Sequence, residues 1–355
     1  AQSGSGGVSA IGIRRRKRNR DPEANVSRET FDDLKGYSMD LQQRARIIIE
    51  TNLALQPGET LLVVTDDPTR EVGELFYEAA CAMDHRALIM QMPEGSVAGE
   101  EPPAPVAAAM KAADVALCPT AKSITHTNAR IEAAAAGTRV ITMPGITMDM
   151  LRDGAACADY AQVERRTRQL TERLTHAKHA RIEKDGHVLE LALTGRNGVA
   201  SPGVYREPGA SGNFPSGEAY IAPLEDGANG TVVIDGSMVG IGTLTEPMTV
   251  TIENGRLTRI EGADAQGPYA ERLSVLFEQP ENGTIAELGI GTNEAAKLCG
   301  IILEDEKLYG TVHIAFGTNA SFGGVTKADC HLDGIILNPT LYLDDECIIR
   351  EGEFV

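Results

Sequence analysis

Hydrophobic and polar positions change their rhythm once along this chain, near Arg181. From about Tyr37 to Gly145, short apolar runs alternate with segments of helical period. Met39 to Leu55 places Ala45, Ile48, Ile49 and Leu53 on one stripe of an amphipathic helix. Thr60 to Thr65 is a continuous apolar run of strand length, and Ala87 to Met92, Val115 to Pro119 and Arg139 to Met143 repeat the pattern. Helices are predicted to open at Asp66-Asp67-Pro68-Thr69 and run through Met83, then over Pro105 to Ala113 and Thr125 to Ala136. Strands apolar on both faces and separated by helices indicate a parallel sheet covered on both sides. Met148 to Lys178 reads as one long helix that links the two halves of the chain. Its solvated face carries Arg165, Arg166, Arg168 and Arg173 against Glu164 and Glu172.

Beyond Arg181, short alternating stretches broken by Gly, Asn and Asp replace that rhythm. Lys184-Asp185-Gly186-His187 and Glu253-Asn254-Gly255-Arg256 are hairpin turns, because Asp-Gly and Asn-Gly tolerate positive φ. Only Tyr269 to Phe277 and Asn293 to Leu298 look helical there. The predicted fold is therefore an α/β N-terminal domain with a parallel sheet, followed by an α+β, mostly antiparallel catalytic domain. The first spans residues 37–178 including the linker helix, and the second spans residues 179–355. Residues 1–36 are set apart as a disordered extension, Gly- and Ser-rich and then basic at Arg14-Arg15-Arg16-Lys17-Arg18. A secretory signal carries its charge before an apolar core, and here that core is missing.

Composition narrows the function. Hydrophobic content of 42% and charged content of 24% suit a soluble globular chain. No apolar run approaches the roughly 20 residues that a membrane span needs. A net charge of −18 repels nucleic acid and anionic lipid, and a chain without Trp offers no stacking platform for single strands. The six cysteines, Cys81, Cys118, Cys157, Cys299, Cys330 and Cys347, show no paired spacing. A reducing, cytoplasmic setting is expected on that ground. Cys330 adjoins His331 but projects from the other face of its strand.

Several chemistries fall away. The first strand leads into Asp-Asp-Pro-Thr and not into a glycine-rich phosphate loop. Ser216 in Pro-Ser-Gly-Glu lacks the elbow of a serine hydrolase. Gly289-Ile-Gly291 and Gly240-Ile-Gly242 are tight turns rather than phosphate cradles. His126, in a helical stretch, is given a surface or capping role, and His176 and His179 complement a helix C-terminus.

What remains is a set of acids and imidazoles on apolar strands of the second half. His331 and Asp333 lie two residues apart on one strand, so they share a face while Leu332 turns to the core. His313 sits between Val312 and Ile314, and Glu287 between Ala286 and Leu288. Glu218 follows the Pro-Ser-Gly turn. Buried acids need a cation or a partner, and imidazole with carboxylate on a rigid strand suits a divalent metal. These five residues are the candidate metal site.

Four ordered motifs carry a family resemblance: Gly-Asn-Phe-Pro-Ser-Gly-Glu-Ala-Tyr-Ile-Ala-Pro, Ala-Glu-Leu-Gly-Ile-Gly-Thr-Asn, Gly-Thr-Val-His-Ile-Ala-Phe-Gly and His-Leu-Asp. Together they resemble the M29 family of metallo-aminopeptidases, in its shorter leucyl branch, over Tyr37 to Val355. The resemblance implies a homodimer that hydrolyses N-terminal residues of small peptides. It also implies a site for two divalent ions, zinc or cobalt, held by Glu218, Glu287, His313, His331 and Asp333. A metal-activated water would attack, with Glu218 or Glu287 as its base. One departure is plain: where the family carries a tyrosine seven residues after the matched histidine, this chain has Ala320. Cys-His-Leu-Asp is also similar to the 2,5-dihydroxypyridine dioxygenases. That resemblance implies one Fe(II) held by His313, His331 and Asp333, although Glu287 stands where that family's other histidine is expected. A metal-binding protein that has lost its activity is the third reading.

Overall fold

Parallel strands gather first, as the doubly apolar runs require. The computed structural model describes residue 1 and residues 41–262, 267 and 269–355. The predicted extension over 1–36 and the Met39 start of the first helix lie outside the described residues. A five-stranded parallel sheet runs in the order Arg86–Met92, Thr60–Asp66, Val115–Thr120, Arg139–Pro144 and Ser211–Asn213. Its three central strands are buried on both faces, whereas the edge strand alternates and leaves Leu88 exposed. The fifth strand comes from beyond the change of rhythm, and its Ser-Gly-Asn sequence carries no apolar signal. Helices Arg70–Ala82, Ala104–Ala112 and Asn128–Ala135 connect the strands.

Local chemistry moves some boundaries. Asp66 ends its strand and accepts hydrogen bonds from the Thr69 amide and hydroxyl, so the helix opens only at Arg70. The predicted Met148 to Lys178 helix is broken in three: Met148–Arg152, a 3-10 turn at Ala155–Cys157, and Tyr160–His176. The break falls where Asp159 accepts from the amides of Ala161 and Gln162 and caps a new helix. His126 lies in the turn before its helix, which Thr127 caps by accepting from the Arg130 amide.

Two antiparallel sheets form the second half. The eight-stranded sheet contains both predicted hairpins, with Asp185-Gly186 and Asn254-Gly255 all at positive φ. The seven-stranded sheet orders Gly242–Thr243, Ser237–Met238, His331–Ile336, Val312–Gly317, Ile285–Gly291, Glu218–Ile221 and Val199–Ser201. Leu288, Ile290, Val312, Ile314, Phe316 and Ile336 from this sheet join Ile182, Leu189, Val232, Ile234 and Val250 from the other in one core. One face of the seven-stranded sheet is therefore committed to packing, and alternation turns the other face free for chemistry.

The predicted helix over Asn293 to Leu298 is absent; that stretch is turn and irregular chain. The Asn293 amide instead donates to the Lys307 carbonyl, and its side chain donates to the carbonyls of Ala155 and Ser216. A short helix forms just beyond it, at Ile302–Asp305, and the helix predicted over Tyr269 to Phe277 forms as Ala270–Glu278. Among the described residues, no helix is long and apolar enough to cross a membrane.

Candidate metal centre

Strand register assembles the site. Glu287 pairs across the ladder with Ala315, and Ala315 pairs with Asp333 on its other side. Both carboxylates thus rise on the free face with only a methyl group between them. The next row joins Tyr220, Gly289 and His313. Outer pairs set Glu218 beside Gly291 and His331 beside Gly317. Small residues make the floor, and the functional side chains stand around it.

The structure brings the sequence-predicted residues together. His313 Nε2 lies 3.3 Å from Glu287 Oε1 and 3.6 Å from Glu218 Oε2. His331 Nε2 lies 3.4 Å from both Glu287 Oε2 and Asp333 Oδ1. His331 Nδ1 donates to the Thr318 carbonyl at 2.8 Å, which turns Nε2 inward as a metal-binding imidazole requires. Glu218, Glu287, His313 and Asp333 are all buried. Ligand atoms of Glu287, His313 and Asp333 lie within 4.8 Å of one another, and so do those of Glu218, Glu306 and His313.

Electrostatics show a site short of positive charge. Burial disfavours a charged imidazole at His313, yet the hydrogen bond and charge of Glu287 override it and raise His313 to about 9. His331 is also held well above its ordinary value, where Asp333 and Glu287 outweigh burial. Burial pushes Glu287 up, but hydrogen bonds from His313 and His331 hold it well below the carboxylate range. Protons on imidazole thus stand where a cation would. A donor set of oxygen and imidazole nitrogen fits a divalent ion of the iron, zinc or cobalt type.

Other residues at the site carry no readable signal in the sequence. Glu306 and Lys307 sit in Leu-Glu-Asp-Glu-Lys-Leu, which reads as a charged surface run, yet Lys307 is fully buried with Nζ 2.6 Å from Glu218 Oε1. Phe322 packs edge-on against His331 at 5.9 Å and against Tyr220 at 5.4 Å between ring centroids. Ala320, at the position of the expected phenol, is exposed. Tyr220 supplies a phenol instead, and burial first, then Glu287 and Glu218, keep it un-ionised. From the parallel-sheet layer, His126 is held below its ordinary value by burial and then by Arg130 and His331. His126 itself is exposed in the turn before its helix, in keeping with a surface role. Cys330 lies within 3.9 Å of the Asn282 carbonyl, on the face away from His331.

A separate cavity of about 230 Å³ opens at the carboxyl ends of the parallel strands, beside Asp66, Glu100, Thr120 and Lys122. Its acids are spent on the chain itself: Asp66 accepts from the Ala121 amide and Glu100 from the Ser96 amide.

A parallel α/β layer joined to two packed antiparallel sheets, with acids and imidazoles clustered on a free sheet face, defines a mixed α/β enzyme-like architecture with a candidate metal centre. Residues 49–355 match the 2,5-dihydroxypyridine 5,6-dioxygenase family, and the chain belongs to that family. The 2,5-dihydroxypyridine 5,6-dioxygenase of Pseudomonas putida is 31% identical over 169 residues, covering 44% of this chain and 48% of that protein. The chain thus spans about half the length of the curated relative it matches. The solved 2,5-dihydroxypyridine dioxygenase from Pseudomonas putida KT2440 superposes with a TM-score of 0.74 at 22% identity, over 90% of this chain and 97% of that one. Wild-type AmpT from Thermus thermophilus superposes with a TM-score of 0.67 at 15% identity, over 90% of this chain and 100% of that one. Both likenesses are to the fold.

Proposed function

We propose that this protein is a mononuclear Fe(II) dioxygenase that opens a hydroxylated nitrogen-containing aromatic ring of the 2,5-dihydroxypyridine type. One observation carries the reading: ligand atoms of Glu287, His313 and Asp333 lie within 4.8 Å of one another, and His331 Nε2 lies 3.4 Å from both carboxylates, beside the ring of Phe322. Two histidines and a carboxylate on one side of an iron leave positions open for oxygen and substrate. The chemistry that Fe(II) supplies when bound is activation of dioxygen, whose two atoms both enter the product, so no outside reductant is needed.

The chain's own residues do the rest. His313, His331, Asp333 and Glu287 would hold the ion. Phe322 and Tyr220 offer ring edges and faces that suit a planar aromatic substrate. The Tyr220 phenol keeps its proton and can donate to an oxygen of the substrate. Glu287 stands where the family's other histidine is expected, which adds a negative charge to the ligand set.

A second reading, peptide hydrolysis by two ions, is favoured by the separate grouping of Glu218 and Glu306 about His313. A single experiment separates the two. Protein reconstituted anaerobically with Fe(II) is given 2,5-dihydroxypyridine and air, and oxygen uptake is followed with loss of the ring chromophore. Stoichiometric uptake establishes ring cleavage. No uptake, together with release of amine from aminoacyl amides by the Zn(II) or Co(II) form, rejects it for the hydrolase.

A further inference from the structure

We propose that Lys307 is a built-in cation: its ammonium fills the second ion position of this centre and fixes the protein's capacity at one metal ion. The inference rests on the reading that Glu287, His313, His331 and Asp333 hold the first ion. Glu218 and Glu306 present the ligand types and spacing of a second site, and together with His313 their ligand atoms fall within 4.8 Å of one another. The space between those two carboxylates is already taken. Lys307 Nζ donates to Glu218 Oε1 at 2.6 Å and also to Glu306 Oε1. A metal bonded to both oxygens at ~2.0–2.2 Å would have to sit where that nitrogen is.

The lysine is fixed in place and is not a surface side chain that has strayed inward. It is fully buried. Its amide donates to the Glu304 carbonyl, and its own carbonyl accepts from the Asn293 amide. The preceding turn is pinned by Glu304, which accepts from the Ala155 amide, and by Asp305, which accepts from the amides of Cys299 and Gly300. An unpaired ammonium in such a place is costly, and so is an unpaired carboxylate pair; each satisfies the other.

His313 decides which group is filled first. Its Nε2 faces both ligand groups, but a neutral imidazole nitrogen has a single lone pair and serves one ion. The pairing with Glu287 at 3.3 Å is closer than that with Glu218 at 3.6 Å. His313 therefore goes to the first ion, and the second group is left with two carboxylates that already share an ammonium.

The test is metal content, read independently of turnover. Full-length protein is stripped with chelator, reloaded with excess Mn(II) or Zn(II), freed of loose ion and analysed by plasma mass spectrometry. Crystals of the same material are measured for anomalous scattering. Wild-type protein should hold one ion per chain, with its anomalous peak among Glu287, His313, His331 and Asp333 and none between Glu218 and Glu306. Lys307→Ala should hold two, with a new peak between the freed carboxylates. Two ions per chain in the wild type overturn the proposal and leave the metal reading standing. So does folded Lys307→Ala that stays at one. Wild-type protein that takes up no ion overturns the metal reading and this proposal together. If Lys307→Ala fails to fold, the wild-type map alone decides, since a peak between Glu218 and Glu306 is incompatible with the ammonium.

Discussion

Gly289 lies directly across the ladder from His313, and a Cβ placed on Gly289 would come 1.9 Å from His313 Nε2. The imidazole lies over the glycine backbone, so its inward reach depends on a side chain that is not there. Gly289→Ala should push the ring aside and weaken divalent-ion affinity by roughly 10- to 100-fold, the range seen when groups that orient a ligand are removed. The added methyl should also cost about 1–3 kcal/mol of stability as overpacking. Calorimetric titration with Zn(II) and urea unfolding measure the two separately. Unchanged affinity would show that His313 does not bind through Nε2.

Glu287→Gln keeps shape and removes charge. Among the described residues, Glu287 is the one carboxylate that contacts both His313 and His331. Its neutralisation should lower ion affinity by at least as much as Gly289→Ala and abolish metal-dependent turnover, while the far-ultraviolet dichroism stays as in the wild type. Full turnover in this variant would remove Glu287 from the centre.

Protonation gives a third expectation, for the metal-free protein. His313 is raised to about 9 in the folded state, against ~6.5 for an unperturbed imidazole. A raised folded value means stabilisation that is complete below the unfolded value and is lost as pH climbs through the folded one. Unfolding free energy should therefore decline between about pH 6.5 and 9. Saturating Zn(II) should remove that decline, because the ion takes the place of the proton. Ion binding at pH 7 should accordingly release protons, which calorimetry in buffers of different ionisation enthalpy will register.

Under the proposed function, Phe322 would meet a flat substrate. Phe322→Ala removes its edge-on packing against His331 and Tyr220, and each ring pair of this kind is worth about 0.5–1.5 kcal/mol. An aromatic substrate that stacks on the same ring should show a KM raised by roughly two- to tenfold, with ion content unchanged. An unchanged KM would place the substrate ring elsewhere.

Legibility follows burial. The parallel strands and both hairpins announce themselves through apolar runs and Asp-Gly or Asn-Gly turns. Period-two spacing likewise puts His331 and Asp333 on one face. Ser211–Asn213 cannot be read, since its place in the sheet depends on neighbours and not on its own side chains. The long helix is over-read at its start: the charged stripe from Glu164 to Arg173 lies within Tyr160–His176, and the capping bonds of Asp159 begin that helix afresh. Lys307 and Glu306 escape for a related reason: a charged run looks solvated until partners from distant segments enclose it. Phe322 escapes because its proximity to His331 comes from a loop fold-back, which has no period.

The floor under the acids is main chain, Ala315 and glycine, held in register by the ladders that also pack the core. The rim, by contrast, includes Phe322 from outside those strands. Under the proposed function, a change at such a rim position would alter what meets the ion without shifting a strand.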